Sequence, residues 1–503
     1  MAYRSIALLS AATTFASCAL AASSSSASSS APAHTHASPA SASNAAATTT
    51  RATTTTAAPA TTAATSTQAA ASPAAPSGAV DRTTWQGEEK ILDPNVECSY
   101  YSYPPVTNIL SSYPDIWVTA DLSNAGITQF DRDFFASINS SIPNIAPRGT
   151  RAGNFDGVTY DSNADPDCWW TDSRCTQPKL AGLDADVTKC LEPNSWGFTL
   201  DDGPNCSHNA YYDYLQTINQ KATLFYIGSN VLDWPLEAQR GLADGHEICS
   251  HTWSHPYMTS MTNEQAFAEL YYSKKAIKDI LGITVRCWRP PYGDVDDRIR
   301  FIAKALDMET IVWSDDTFDY DWYINGRDAV RANYDAILAK QANGTYDQEG
   351  IVVLTHEIDG VTMEISQEYL PKMQAQFSGG VVPVGVCRNI SQPYVETADF
   401  VYPNYKQYMA GTRSITLAAP TANPGNGNEL VFHPTTTSPL ATATSSASQL
   451  AQSLAADPSH SSSTHSSAGA KSSSDSKKSS AAAIQVGSVL GAIVVAVSAF
   501  SLI

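Results

Sequence analysis

The chain has 503 residues, with 30 Lys plus Arg against 49 Asp plus Glu, a formal net charge of −19, nine cysteines and a charged fraction of 16%. That acidic balance argues against a nucleic-acid partner, because phosphate backbones are held by clustered Lys and Arg. All ten tryptophans and eight of the nine cysteines fall between Trp85 and Cys387, so a length that would allow about three domains reduces to one folded unit of roughly 325 residues.

In chain order, Arg4 precedes an apolar run, Ile6 to Leu20, that ends in the small-x-small step Ala19-Leu20-Ala21. This is the layout of a secretory signal peptide over residues 1–21, whose removal takes Cys18 with it. Residues 22–84 are almost entirely Ser, Thr, Ala and Pro and cannot bury a core, so they are expected to be disordered. Residues 85–193, rich in Tyr, Asn, Asp and Cys with short apolar runs, read as a disulfide-tied extension packed on the unit that follows. The even count of eight remaining cysteines fits up to four disulfides of unassigned pairing.

From Trp196 onward, apolar runs of strand length alternate with helical periods. The expected strands are Trp196 to Leu200, Ala222 to Ile227, Glu247 to Ser250, Val285 to Arg289, Thr310 to Trp313, Ile351 to Thr355 and Val381 to Val386. Between the third and fourth, Thr262 caps a helix with Gln265 three residues on, and Phe267, Leu270, Tyr271, Ile277 and Ile280 form its apolar stripe. Repeated βα units with continuous apolar strands imply a parallel sheet buried on both faces. The fold class is α/β, a distorted (β/α) barrel of about seven strands over residues 194–410.

The stretch 411–470 reads as a Ser/Thr-rich stalk, and 471–503 as a removable attachment signal for a glycosylphosphatidylinositol lipid: small residues at Ala468-Gly469-Ala470, a polar spacer, then the apolar run Ile484 to Ile503. Ala468 is the expected attachment residue. The alternative is a tail-anchored helix, since about 20 apolar residues can span a bilayer. Sequons at Asn139, Asn205, Asn343 and Asn389 fit N-glycosylation on the secretory route. Together these features place the chain at a eukaryotic cell surface or wall.

In a barrel the chemistry sits at the C-terminal ends of the strands, and polar residues gather there. Asp201 and Asp202 follow the first strand, His251 and His255 the third, Arg289 ends the fourth, Asp315 and Asp316 follow the fifth, and His356 the sixth. Two imidazoles and one carboxylate suffice to hold a catalytic zinc-type ion. His251, His255 and one Asp of the 201 and 202 pair supply that set. The other Asp is then free to take a proton from water whose pKa the ion has lowered. His356 is the natural acid for the leaving group, and Arg289 would hold the basic Asp ionised and oriented. A rival set built on Cys206 with His208 and Cys249 with His251 is disfavoured, because secreted cysteines are more often in disulfides.

These residues resemble the polysaccharide deacetylases of the NodB homology type, carbohydrate esterase family 4. Thr199-Leu-Asp201-Asp202-Gly-Pro204, His251-Thr-Trp-Ser-His255, Arg289-Pro-Pro-Tyr292 and Leu354-Thr-His356 are similar to four of its ordered motifs, across about 200 residues. The resemblance implies Asp201 as base, Asp202 with His251 and His255 on one divalent ion, zinc or cobalt, His356 as acid, Arg289 as partner of Asp201, and the backbone N–H of Tyr292 as oxyanion donor. It also implies Tyr292, Trp322 and Leu354 against the sugar. With the secretion and attachment signals, it points to the fungal members that act on chitin, so the implied reaction is hydrolysis of N-acetyl groups on N-acetylglucosamine units. The implied partners are that polymer and, through the lipid, the membrane; no protein partner is implied.

The remaining motif departs from the family pattern. Counting from Trp313 selects Asp319 as the carboxylate that tunes His356, whereas matching an Asp-Trp pair selects Asp321 with Trp322. Asp319 is taken here, with Asp321 as a surface-loop carboxylate. Competing functions are deacetylation of xylan or peptidoglycan, and a wall polysaccharide-binding protein with a dead site.

Overall fold

The computed structural model describes residues 80–123, 127–397, 399–422 and 430. The signal segment, the tract up to residue 79, most of the stalk, Ala468 and the apolar tail lie outside the described residues. Among the described residues no helix is long and apolar enough to cross a membrane.

The central element is β1 (Trp196–Gly203), whose Trp196, Phe198 and Leu200 are fully buried. Around it lie β2 (Thr223–Tyr226), β3 (Glu247–Ser250), β4 (Cys287–Trp288), β5 (Glu309–Thr310), β6 (Asp315–Asp316), β7 (Ile351–Leu354) and β8 (Val381–Val382). The path runs β5-β4-β3-β2-β1-β7-β6, with β8 pairing β1 at Trp196 and Gly197. All these pairings are parallel. This is the expected distorted (β/α) barrel: β2, β3 and β7 are buried along their whole length, which is why they read as unbroken apolar runs.

Several strands differ from expectation. The fourth, expected over Val285 to Arg289, spans only Cys287–Trp288, and the last, expected over Val381 to Val386, ends at Val382, where Pro383 has no N–H to continue a ladder and Val384–Cys387 turns into a short helix. The fifth, expected over Thr310 to Trp313, stops at Thr310, because Val187 of the extension inserts itself there. Its N–H donates to the Thr310 carbonyl at 2.9 Å, and Val312 N–H donates back to Val187 at 2.9 Å. Asp315 and Asp316, expected among the polar groups just after that strand, instead form β6 against Val353 and Leu354. The Asp315 carboxylate turns to Lys340 and Tyr346 at 2.8 and 2.9 Å, away from the other strand-end groups.

The helix Asn263–Leu281 begins with the capping box of Thr262 and Gln265 and ends at Gly282, whose φ of 82° is left-handed. Its buried stripe contains Phe267, Leu270, Tyr271, Ile277 and Ile280. The extension is tied on by covalent and ionic contacts. Disulfides Cys98 to Cys206 and Cys190 to Cys387 join it to the barrel, while Cys168 to Cys175 closes a loop within the extension and Cys249 to Cys287 links two barrel strands. Arg300 donates from Nε and Nη2 to both oxygens of Asp186 at 2.8 and 2.7 Å, the strong two-pronged form of an ion pair.

Candidate active site

The strand ends bring the sequence-selected groups together. β1 delivers Asp201 and Asp202 as its sixth and seventh residues, β3 runs directly into His251, β4 into Arg289, and β7 is followed two residues later by His356. Asp201 and His356 are neighbours in the sheet by an isolated parallel bridge: Asp201 N–H donates to the Thr355 carbonyl at 3.0 Å, and Glu357 N–H donates to the Asp201 carbonyl at 3.1 Å.

Asp202, His251 and His255 present one ligand atom each within 4.8 Å of one another. Asp202 Oδ1 stands 3.1 Å from His255 Nε2 and 3.4 Å from His251 Nε2. The far nitrogens of both rings are engaged: His251 Nδ1 lies 2.8 Å from the Arg289 carbonyl, and His255 Nδ1 lies 3.2 Å from the Tyr292 hydroxyl. Such outer contacts fix which ring nitrogen faces a metal. Asp202 Oδ1 is buried and accepts no hydrogen bond of good geometry among the described residues. Burial pushes the Asp202 carboxyl up, but the two imidazoles outweigh it and hold the group well below the usual carboxylate range. A buried, under-satisfied oxygen facing two imidazole nitrogens fits a divalent ion that prefers two His and one carboxylate. The rival thiolate set fails, since Cys206 and Cys249 are both in disulfides.

Asp202, Thr252, His255 and Tyr292 have φ of 69°, 66°, 55° and 59°. Four non-glycine residues in the left-handed region at one site cost about 1–3 kcal/mol each, and the surrounding contacts hold them. Asn230 Nδ2 donates to the Asp202 carbonyl at 2.9 Å. Gly203 lets Glu357 approach: a Cβ there would lie 1.6 Å from Glu357 Oε1. Burial pushes the Glu357 carboxyl up to about 8, and Tyr212 donates to its Oε2 at 2.7 Å.

Arg289 is fully buried and donates from Nη1 to Asp201 Oδ1 at 2.6 Å and to Thr199 Oγ1 at 2.8 Å. Its guanidinium also lies 4.1 Å from the centre of the Phe225 ring, so its plane is fixed by stacking as well as by hydrogen bonds.

His356 is held by Asp319, not Asp321. Asp319 Oδ2 accepts the His356 backbone N–H at 2.8 Å, and its Oδ1 lies 2.7 Å from ring Nδ1. Burial lowers the imidazole pKa, but Asp319 more than reverses this and pushes it up to about 10. Asp321, expected on the surface, is instead buried, and its Oδ1 has no hydrogen-bond partner among the described residues. The turn at Phe318, φ 50°, carries both aspartates inward.

Tyr292 stacks on Tyr257, with ring centroids 4.0 Å apart and planes 5° apart. The Trp322 indole N–H donates to Asp359 at 2.8 Å and its ring is half-buried, while Leu354 is buried at the end of β7. Sequence reasoning missed Asn230, Tyr257 and Glu357, as well as Glu269, whose buried carboxylate accepts the backbone N–H groups of Trp253 and Ser254 at 3.0 and 2.8 Å. Adjacency to His356 was an available signal for Glu357; nothing in the spacing marks the other three. Of the sequons, Asn139, Asn343 and Asn389 are exposed, whereas Asn205 is half-buried and donates to the Ile358 carbonyl at 2.8 Å.

The family described as polysaccharide deacetylase matches residues 188–311. Chitin deacetylase 2 of Cryptococcus neoformans var. grubii is 50% identical over 329 residues, 64% of this chain and 72% of that protein. Chitin deacetylase of Amylomyces rouxii is 45% identical over 335 residues, 65% of this chain and 77% of that protein. Among solved structures, the chitin deacetylase of Colletotrichum lindemuthianum aligns with a TM-score of 0.39 at 22% identity, over 42% of this chain and 96% of that one. The chain belongs to the polysaccharide deacetylase family of the NodB type, carbohydrate esterase family 4.

Proposed function

We propose that this chain hydrolyses the acetamide of N-acetylglucosamine units in chitin, leaving chitosan and acetate. The observation that carries the reading is the pairing, across adjacent strand ends, of Asp201 on Arg289 with His356 on Asp319, beside the Asp202, His251 and His255 set. The relatives named chitin deacetylase support the choice of polymer.

Asp202, His251 and His255 would hold one divalent ion, zinc or cobalt, which when bound would polarise the acetyl carbonyl and lower the pKa of water. Asp201, fixed by Arg289, takes a proton from the water that attacks the carbonyl carbon. The backbone N–H of Tyr292 donates to the carbonyl oxygen as negative charge develops there. His356 then gives its proton to the amine nitrogen as the C–N bond breaks. With its pKa pushed up to about 10, the imidazole carries that proton at neutral pH and can donate it where a free histidine would be largely uncharged. Tyr292, Trp322 and Leu354 border the sugar.

The same reading places the chain in the secretory pathway and on the cell surface or wall through a lipid attached near Ala468. Four disulfides, which persist in oxidising compartments, support secretion.

The test is acetate release by the full chain from chitin oligomers, acetylated xylan and peptidoglycan, before and after chelation. The expected result is release from the chitin oligomers that chelation abolishes and zinc or cobalt restores. Release from xylan or peptidoglycan alone overturns the substrate, and turnover that survives chelation overturns the ion.

A further inference from the structure

We propose that Trp117, in the extension and outside the span matched by the family, is a stacking platform for a sugar unit beyond the one whose acetyl group reacts. The proposal rests on the polymer substrate argued above.

Trp117 is the most exposed of the ten tryptophans, at 42%, and its φ of 65° is left-handed. A bulky aromatic residue adopts that conformation only where its surroundings force it. Here the backbone of the residue is tied on both sides: its N–H donates to Ser229 Oγ at 3.0 Å and its carbonyl accepts from Arg151 Nη2 at 3.2 Å. The exposed part of the ring covers no core.

The groups that fix Trp117 are also the groups that fix the ligand loop. Arg151 Nη2 donates to the carbonyl of Ser254, the residue before His255, at 2.7 Å. Ser229 Oγ donates to the Trp253 carbonyl at 2.7 Å, and its neighbour Asn230 holds the Asp202 carbonyl. The carboxylate of Glu269 accepts from Ala120 N–H at 2.9 Å as well as from Ser254 N–H. The backbone that carries the indole is therefore registered to Asp202 and His255 through hydrogen bonds, as a subsite must be if it is to present a polymer to the reacting centre.

The ligand chemistry follows from the side chain. A pyranose ring has faces of C–H groups and a rim of hydroxyls, and it is uncharged in this polymer, so an exposed indole on a fixed backbone, with only two side-chain torsions to order, offers contact area at little ordering cost. A rigid platform one or more units from the reacting sugar adds affinity for long chains and none for short ones.

The experiment compares wild type, Trp117→Ala and Trp117→Phe as full chains on N-acetylglucosamine di- to hexasaccharides, with acetate release and bound metal measured together. The expected result for Trp117→Ala is a KM raised about tenfold for the longer oligomers, the scale of one ring stacked on an aromatic side chain. KM for the disaccharide, kcat and metal content should stay at wild-type values. Trp117→Phe, which keeps an aromatic face and loses the indole N–H, should recover most of the affinity. A rise in KM equal at every length, a fall in kcat with loss of metal, or no change at all each overturns the proposal. A wild-type chain that releases no acetate from any of these oligomers overturns the substrate reading and this proposal with it, whereas an active wild type with an unchanged variant overturns this proposal alone.

Discussion

The carboxylate of Asp319 grips His356 at two points, accepting its backbone N–H at 2.8 Å while lying 2.7 Å from its ring Nδ1. Loop and ring are thereby fixed together, and the carboxylate favours the protonated imidazole.

Asp319→Asn should lower the His356 pKa from its raised value of about 10. The protonated acid exists below its pKa, so a lower pKa removes activity first on the alkaline side. The alkaline limb of the kcat profile should move toward neutrality, with turnover down roughly 10²–10⁴-fold, the usual scale of general acid–base catalysis. Asp321→Asn, at a carboxylate with no contact to His356, should leave both limbs in place. The reverse pattern across the two variants would reassign the tuning carboxylate.

Three protein donors leave no redundancy for an ion. His251→Ala and His255→Ala should each lose stoichiometric metal together with acetate release. Asp201→Asn keeps an acceptor for Arg289 and removes no ligand, so it should retain metal and lose turnover. Metal analysis beside an acetate assay separates the two classes, and an active Asp201→Asn would remove Asp201 as the base.

Arg289 is 0% and Asp201 2% exposed, so breaking their pair from one side leaves a buried charge uncompensated. Arg289→Met should cost about 3–5 kcal/mol of stability, read from denaturant unfolding. A loss below about 1 kcal/mol, the range of an exposed pair, would show that solvent reaches Asp201.

Cys190 and Cys387 close a separation of 197 residues, and Cys168 and Cys175 one of 7. If disulfides act chiefly by restricting the unfolded chain, replacing the first pair with serine should cost about 3 kcal/mol more than replacing the second. Equal losses would point to local packing instead.

Much of this chain is written in local signals. Strands buried on both faces read as unbroken apolar runs, so β1, β2, β3 and β7 are visible in the sequence. The Thr262 and Gln265 capping box is a three-residue rule and marks the start of its helix. The strand-end positions of Asp201, Asp202, His251, Arg289 and His356 follow once the strands are placed, because parallel βα units put all their C-terminal ends on one side of the barrel.

The tertiary structure alone decided the rest. It selected Asp319 over Asp321 through the left-handed turn at Phe318, paired the eight described cysteines, and cut short the fifth expected strand where Val187 bridges to Ile311. It also set Trp117 beside the ligand loop through Ser229 and Arg151. Apart from the short Cys168 to Cys175 loop, these outcomes depend on contacts between residues far apart in the chain, and no periodicity or short spacing encodes such a contact. A residue's type and its neighbours limit the conformations it can adopt. Which distant partner satisfies its hydrogen bonds is settled when the whole core closes and every buried polar group finds a place.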